Sequence, residues 1–181
     1  DRPITFPDTQ KHKTLVTDLH THSVFSDGHV WPNIRVGEAL RDGVDVLAIT
    51  EHLEYQPHQS DIPHPDRNQS FVEAKAAAGK QDILVINGSE ITRNMPPGHI
   101  NAVFVKDANK LIDVDLTKEE EMQAELNSRL EEIKGRDRKT MEFYALAGMW
   151  PAEKAIQAAN DQGAFLFWNH PMWGSQKSDG I

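Results

Sequence analysis

The chain has 181 residues, a formal net charge of -9 and no cysteine. That length suffices for one domain with a sizeable core. The acidic balance argues against an extended nucleic-acid surface, and the absence of cysteine excludes disulfides, zinc fingers and thiol chemistry.

Residues 1–13 are polar, carry two prolines and read as an irregular lead-in. Leu15 to Leu19 is the first expected strand, running into Asp18-Leu19-His20-Thr21-His22-Ser23 and then Ser26-Asp27-Gly28. Pro32 suits the first turn of a helix that carries Ile34, Ala39 and Leu40 and stops at Gly43. Val44 to Ile49 is a compact apolar run, a buried strand that ends in Thr50-Glu51-His52. A polar loop over 53–67 holds Tyr55, His58 and His64 and is long enough to overhang a site. Ser70 to Ala78 reads as a helix closed by Gly79, and Ile83 to Ile86 as a third strand ending in Asn87-Gly88-Ser89-Glu90. After the turn at 95–98 comes His99, followed by a fourth strand over Ala102 to Val105.

The stretch 106–150 breaks this rhythm. Thr117 and Glu120 form a capping box, and Met122, Leu126, Leu130 and Ile133 follow as an amphipathic stripe expected to pack on the sheet. Residues 135–150 mix basic and aromatic side chains and are expected to border the site mouth. Pro151 opens another helix, Ala152 to Asp161, and Ala164 to Trp168 is a fifth strand running into Asn169-His170. No apolar run approaches the roughly 20 residues of a membrane span. The composition is compatible with an exported or a cytoplasmic protein.

Two histidines at i and i+2 on an extended segment face the same way, so His20 and His22 can reach one cation. Asp27, in a tight turn, can fold its carboxylate back to the same spot. Two neutral nitrogens and a hard oxygen suit zinc, manganese or iron better than calcium. His52, Glu90 and His170 also stand at strand ends, and His99 directly precedes a strand. Convergence at one sheet edge is the placement expected of a site in parallel α/β proteins.

These motifs, Asp-Leu-His-Thr-His-Ser with Ser-Asp-Gly, then Thr-Glu-His, Gly-Ser-Glu-Ile-Thr, Gly-His and Asn-His-Pro, resemble the PHP (polymerase and histidinol phosphatase) family of metal-dependent phosphoesterases. The resemblance covers residues 14–105 and 151–181, with 106–150 as an insertion. It implies a single PHP domain over 1–181, built as a distorted (β/α)7 TIM-like barrel and incomplete on its C-terminal side in this chain. It also implies up to three divalent metal ions, with His20, His22, Asp27, His52, Glu90, His99 and His170 as ligands and Glu90 as the bridge. Two departures stand out. The family's Thr-Asp-His is Thr-Glu-His here, which makes Glu51 an outer partner of a histidine rather than a ligand. The family's closing Asp-x-His pair does not occur before Ile181, so the sequence is expected to be part of a longer chain.

A centre of many histidines and few carboxylates keeps net positive charge and suits a small phosphorylated substrate. Arg93, three residues after Glu90, is the candidate catalytic clamp for a phosphate oxygen, with an exposed loop arginine as the alternative. Two other functions fit the same residues. One is hydrolysis of an amide or lactone on the same metals, and the other is a non-catalytic barrel that holds metal or a partner.

Overall fold

The computed structural model describes residues 6–63, 65–93, 97–112, 120–132 and 138–171. Helix α1 (Pro32–Asp42) starts on its proline and ends where Gly43, at φ 76°, turns left-handed and donates its N–H to Ala39 and Leu40 carbonyls. A residue with a Cβ is disfavoured in that conformation, so the glycine sets the stop. Val36 and Ala39 face inward, and helix α2 (Gln69–Ala78) brings Ala74 and Ala78 to the same layer. They cover Leu47 and Ile49 of strand β2 (Val46–Ile49) and Val85 of strand β3 (Leu84–Ile91). Each of those aliphatic side chains contributes about 1.5–3 kcal/mol by leaving water.

All four residues of β2 are buried, as its uninterrupted apolar run requires. Val46 and Ala48 point to the opposite face, where they meet Ile86, Val103, Leu19 and Phe167. The first strand shrinks to Thr17–Asp18 (β1), pairing in parallel with Val46 and Leu47. β2 and β3 are parallel as well.

The parallel pattern then ends. Residues 92–99 alone join β3 to strand β4 (Ile100–Val103), too few for the crossover of a dozen or more that a parallel neighbour needs. β4 is therefore antiparallel to β3, with Glu90 opposite Asn101 and Ile91 opposite Ile100. Strand β5 (Phe165–Trp168) is antiparallel to β4 in turn, so it runs in the direction of β3. The result is an α/β fold whose sheet, ordered β1-β2-β3-β4-β5, curls as half a barrel. Five strands stand among the described residues, where the resemblance implies seven.

β3 is longer than its apolar run. It continues through Asn87, Gly88, Ser89 and Glu90, so Glu90 lies within the strand and not beyond it. Polar residues persist there because β4 pairs with this half of β3.

The region after β4 holds a 3₁₀ turn at Ala108–Leu111, then helices α3 (Glu120–Glu132), α4 (Arg138–Met149) and α5 (Ala152–Asp161). α5 packs Ala152, Ala155 and Ala159 on Leu53, Ile91, Ala102 and Leu111. Among its described residues, the stripe of α3 packs on α4. Leu126 and Leu130 pack on Ala145, Leu146 and Met149 of α4, forming a small core between the two helices. Thr117 and Ile133, and the side chain of Met122, lie outside the described residues. No helix among the described residues is long and apolar enough to cross a membrane.

Candidate metal centre

The first histidine pair is aimed by the residue between them. Thr21 donates its hydroxyl to the Ala48 carbonyl at 2.5 Å, and exchanges hydrogen bonds with Thr50 at 3.0 and 3.1 Å. With Thr21 stitched to the end of β2, His20 and His22 project to the other side. Their Nε2 atoms lie 3.0 Å apart. Arg35 of α1 holds the His22 carbonyl with Nε and Nη2 at 3.1 and 2.9 Å.

The turn after His22 closes on Ser23, whose carbonyl accepts from Ser26 and Gly28 N–H at 3.0 and 2.9 Å. It carries Asp27 back to 3.8 Å from His22 Nδ1 and 3.4 Å from His52 Nε2. The neighbouring imidazoles, His52 ahead of His22, hold the Asp27 carboxyl below its usual range. Glu51 is buried behind this turn and accepts from the Ser23 N–H at 3.0 Å, the Ser23 hydroxyl and the Ser26 hydroxyl at 2.5 Å. Ser26 Oγ is 3.3 Å from His22 Nδ1, so Glu51 reaches that histidine through a serine.

Glu90 is the hub, with no exposed surface. Its Oε2 lies 3.0 Å from His20 Nε2, 3.1 Å from His22 Nε2 and 3.4 Å from His52 Nδ1. Its Oε1 lies 2.8 Å from His99 Nδ1 and 3.6 Å from His170 Nε2. The two oxygens of one carboxylate thus face different sets of histidines. Burial, the largest influence, works to raise the Glu90 carboxyl. Hydrogen bonds from His20 and His22 and the charges of His52 and His20 outweigh it and hold the group well below the usual carboxylate range. Burial lowers His99 despite the nearby Glu90. In His22 burial is outweighed by the hydrogen bond and charge of Glu90, and the ring is raised.

Three groups of donor atoms lie within 4.8 Å of one another: His20-His22-Glu90, His22-Asp27-His52 and Glu90-His99-His170. The donor chemistry fits divalent cations. An octahedral ion with bonds of about 2.1 Å has ligand-to-ligand edges of about 3.0 Å, and a tetrahedral one about 3.4 Å. The His20-His22-Glu90 triangle, with sides of 3.0, 3.0 and 3.1 Å, matches one octahedral face. The antiparallel turn of β4 is what brings His99 to this edge. His170, at φ 22°, arrives beyond β5, where Asn169 N–H donates to the His99 carbonyl at 2.9 Å.

The candidate clamp is engaged elsewhere. Arg93 Nη1 lies 2.5 Å from Glu54 Oε1 and donates to the Thr92 carbonyl at 2.9 Å, while Nη2 donates to the Trp150 carbonyl. Glu54 also accepts the Thr92 N–H at 2.7 Å, and burial pushes its carboxyl up to about 7 against the pull of Arg93. Tyr55 is exposed, with its ring 5.6 Å from that of His52. No contact of His58 with the histidine cluster occurs among the described residues, and His64 lies outside them. The sequence reading missed Glu54, Ser26 and Thr92. For Thr92 a signal existed, because it stands two residues after Glu90 and so on the same side of an extended chain.

Residues 18–129 match the family model of the PHP domain. A crystal structure from Bacteroides vulgatus, of a two-domain protein containing a predicted PHP-like metal-dependent phosphoesterase, is similar with 42% identity and a TM-score of 0.72. That match covers 98% of this chain and 41% of the other, so this chain spans well under half of that protein's length. An amidohydrolase from Chromobacterium violaceum, with bound sulfate and no metal, shares the fold at 20% identity and a TM-score of 0.51, over 86% of this chain and 67% of that one. No curated protein matches the chain.

Proposed function

The chain belongs to the PHP family, and on that premise we propose that it hydrolyses phosphate esters of a small metabolite or nucleotide at a centre of up to three divalent ions. The observation that carries the reading is the division of Glu90, one oxygen toward His20, His22 and His52 and the other toward His99 and His170. In this reading His20, His22, Asp27, His52, Glu90, His99 and His170 hold the ions, which are zinc, manganese or iron. Divalent ions held there supply Lewis acidity toward water and toward phosphoryl oxygen alike.

The chain's own residues set the charge. Only Glu90 and Asp27 bring negative charge to five neutral imidazoles, so the loaded centre stays cationic and attracts an anion. Glu90 is fully buried and cannot be screened by water, which makes it the main internal counter-charge. Arg93 is assigned here to the support of Glu54, since its guanidinium already meets three acceptors.

The test is turnover of para-nitrophenyl phosphate mono- and diesters by protein loaded in turn with zinc, manganese and iron, beside an amide and a lactone substrate. Phosphate-ester cleavage that follows metal content supports the reading. Cleavage of the amide or lactone alone overturns it.

A further inference from the structure

We propose that Thr92 is a positioning residue that fixes which nitrogen of His52 is free to bind a cation; the inference concerns the same site and rests on the metal-centre reading. Thr92 Oγ1 lies 2.5 Å from His52 Nδ1 and 3.1 Å from the Glu90 carbonyl oxygen. A hydroxyl has one proton and two lone pairs, whereas a carbonyl oxygen only accepts. The Thr92 proton therefore goes to Glu90, and a lone pair faces His52. Nδ1 must then carry the ring proton, which leaves Nε2 of the neutral imidazole bare.

That bare Nε2 is the atom that faces Asp27, at 3.4 Å from Oδ2, within the His22-Asp27-His52 group. The opposite tautomer would donate Nε2–H to the Asp27 carboxylate and occupy both donors with one proton. Thr92 thus sets a pair of acceptors against each other, an arrangement that a cation between them relieves. Direct hydrogen bonds from a ring N–H to a neighbouring acceptor are the usual means of fixing a ligand histidine.

Thr92 is itself held on two sides. Its N–H donates to Glu54 Oε2 at 2.7 Å, and Glu54, with a side chain 6% exposed, is anchored by Arg93. The hydroxyl therefore keeps its place relative to β3 without help from the metal. Valine has the shape of threonine and lacks the hydroxyl, and serine keeps the hydroxyl.

The experiment is nitrogen-15 long-range correlation NMR on the metal-free 181-residue chain, paired with zinc titration calorimetry, for wild type, Thr92→Val and Thr92→Ser. The expected result is an Nδ1–H tautomer for His52 in wild type and Thr92→Ser, and a shift toward Nε2–H in Thr92→Val. One zinc equivalent should weaken about 10- to 100-fold in Thr92→Val and stay near wild type in Thr92→Ser. An Nε2–H tautomer in wild type overturns the proposal, as does a Thr92→Val protein with unchanged tautomer and zinc affinity. Wild type that takes up no zinc yet shows Nδ1–H, lost in Thr92→Val, supports the role of Thr92 and overturns the metal-dependent function instead.

Discussion

His52 pairs with Glu90 across a single parallel bridge, and its neighbours Glu51 and Leu53 exchange backbone hydrogen bonds with Glu90 at 3.0 and 2.8 Å. The bridge extends β2–β3 pairing past the end of β2 and fixes the imidazole beside the carboxylate. Backbone pairing, and not side-chain charge, therefore sets the position of Glu90.

This separation makes Glu90→Gln informative. The amide keeps the shape and the strand, but removes the charge that would offset cations on both sides. The variant is expected to fold as wild type, lose bound metal and lose more than about 100-fold in kcat, beyond the range of outer partners. Metal content by mass spectrometry and kcat on para-nitrophenyl phosphate check it. Wild-type metal and rate would mean that Glu90 bridges nothing.

Glu51→Gln should behave differently. Glu51 faces only donors, from Ser23 and Ser26, and an amide nitrogen placed there would meet an N–H or a hydroxyl proton. An unsatisfied buried group of this kind costs about 1–3 kcal/mol. The expected loss is in stability by urea titration, with a much smaller fall in metal content and kcat than in Glu90→Gln.

How far the sequence carried can be judged from particular residues. His20 and His22 were legible because alternation along an extended chain is a local rule, and Thr21 turning inward is its other half. His52 and His170 were placed for a similar reason, since each follows an apolar run, whereas Glu90 stands inside β3, four residues past the run that ends at Ile86. The reversal of β4 was readable in principle from the short connection at 92–99, but the parallel pattern of the earlier strands hid it. The partner of Arg93 was not readable. Glu54 sits in a loop of low periodicity, and only the fold brings it to 2.5 Å from a guanidinium. In α3, periodicity showed that a face is buried and not what buries it, and Leu126 and Leu130 meet α4.

The Glu54–Arg93 pair supports a stability prediction. The side chains are 6% and 19% exposed, and Arg93 is the main counter-charge of a carboxyl already raised by burial. Removing one partner of a buried pair costs about 3–5 kcal/mol, whereas removing both charges can be nearly neutral. Arg93→Met is expected to lose stability in that range, and Arg93→Met combined with Glu54→Gln to recover most of it. Additive losses in urea titrations would show that the pair does not couple.

Two glycines should respond in opposite directions to the same methyl group. At Gly37, on the exposed face of α1, a Cβ would meet nothing within 4 Å. Gly37→Ala should therefore stabilise the helix by about 0.5–1 kcal/mol, the propensity difference between the two residues. At Gly28 a Cβ would stand 2.6 Å from the His22 carbonyl oxygen, 2.7 Å from its carbon and 2.8 Å from Ser23 Cα. All three are backbone atoms, so no side-chain rotation relieves the clash and the turn must open. Asp27, one residue before Gly28, then leaves His22 and His52, while Glu90, His99 and His170 stay in place on β3, beside β4 and beyond β5. The expected outcome for Gly28→Ala is one zinc equivalent fewer than wild type in calorimetric titration, with affinity least changed at the Glu90-His99-His170 group, which does not include His22. Unchanged stoichiometry would exclude Asp27 as a ligand, whereas loss of every zinc would show that the turn holds the whole centre together.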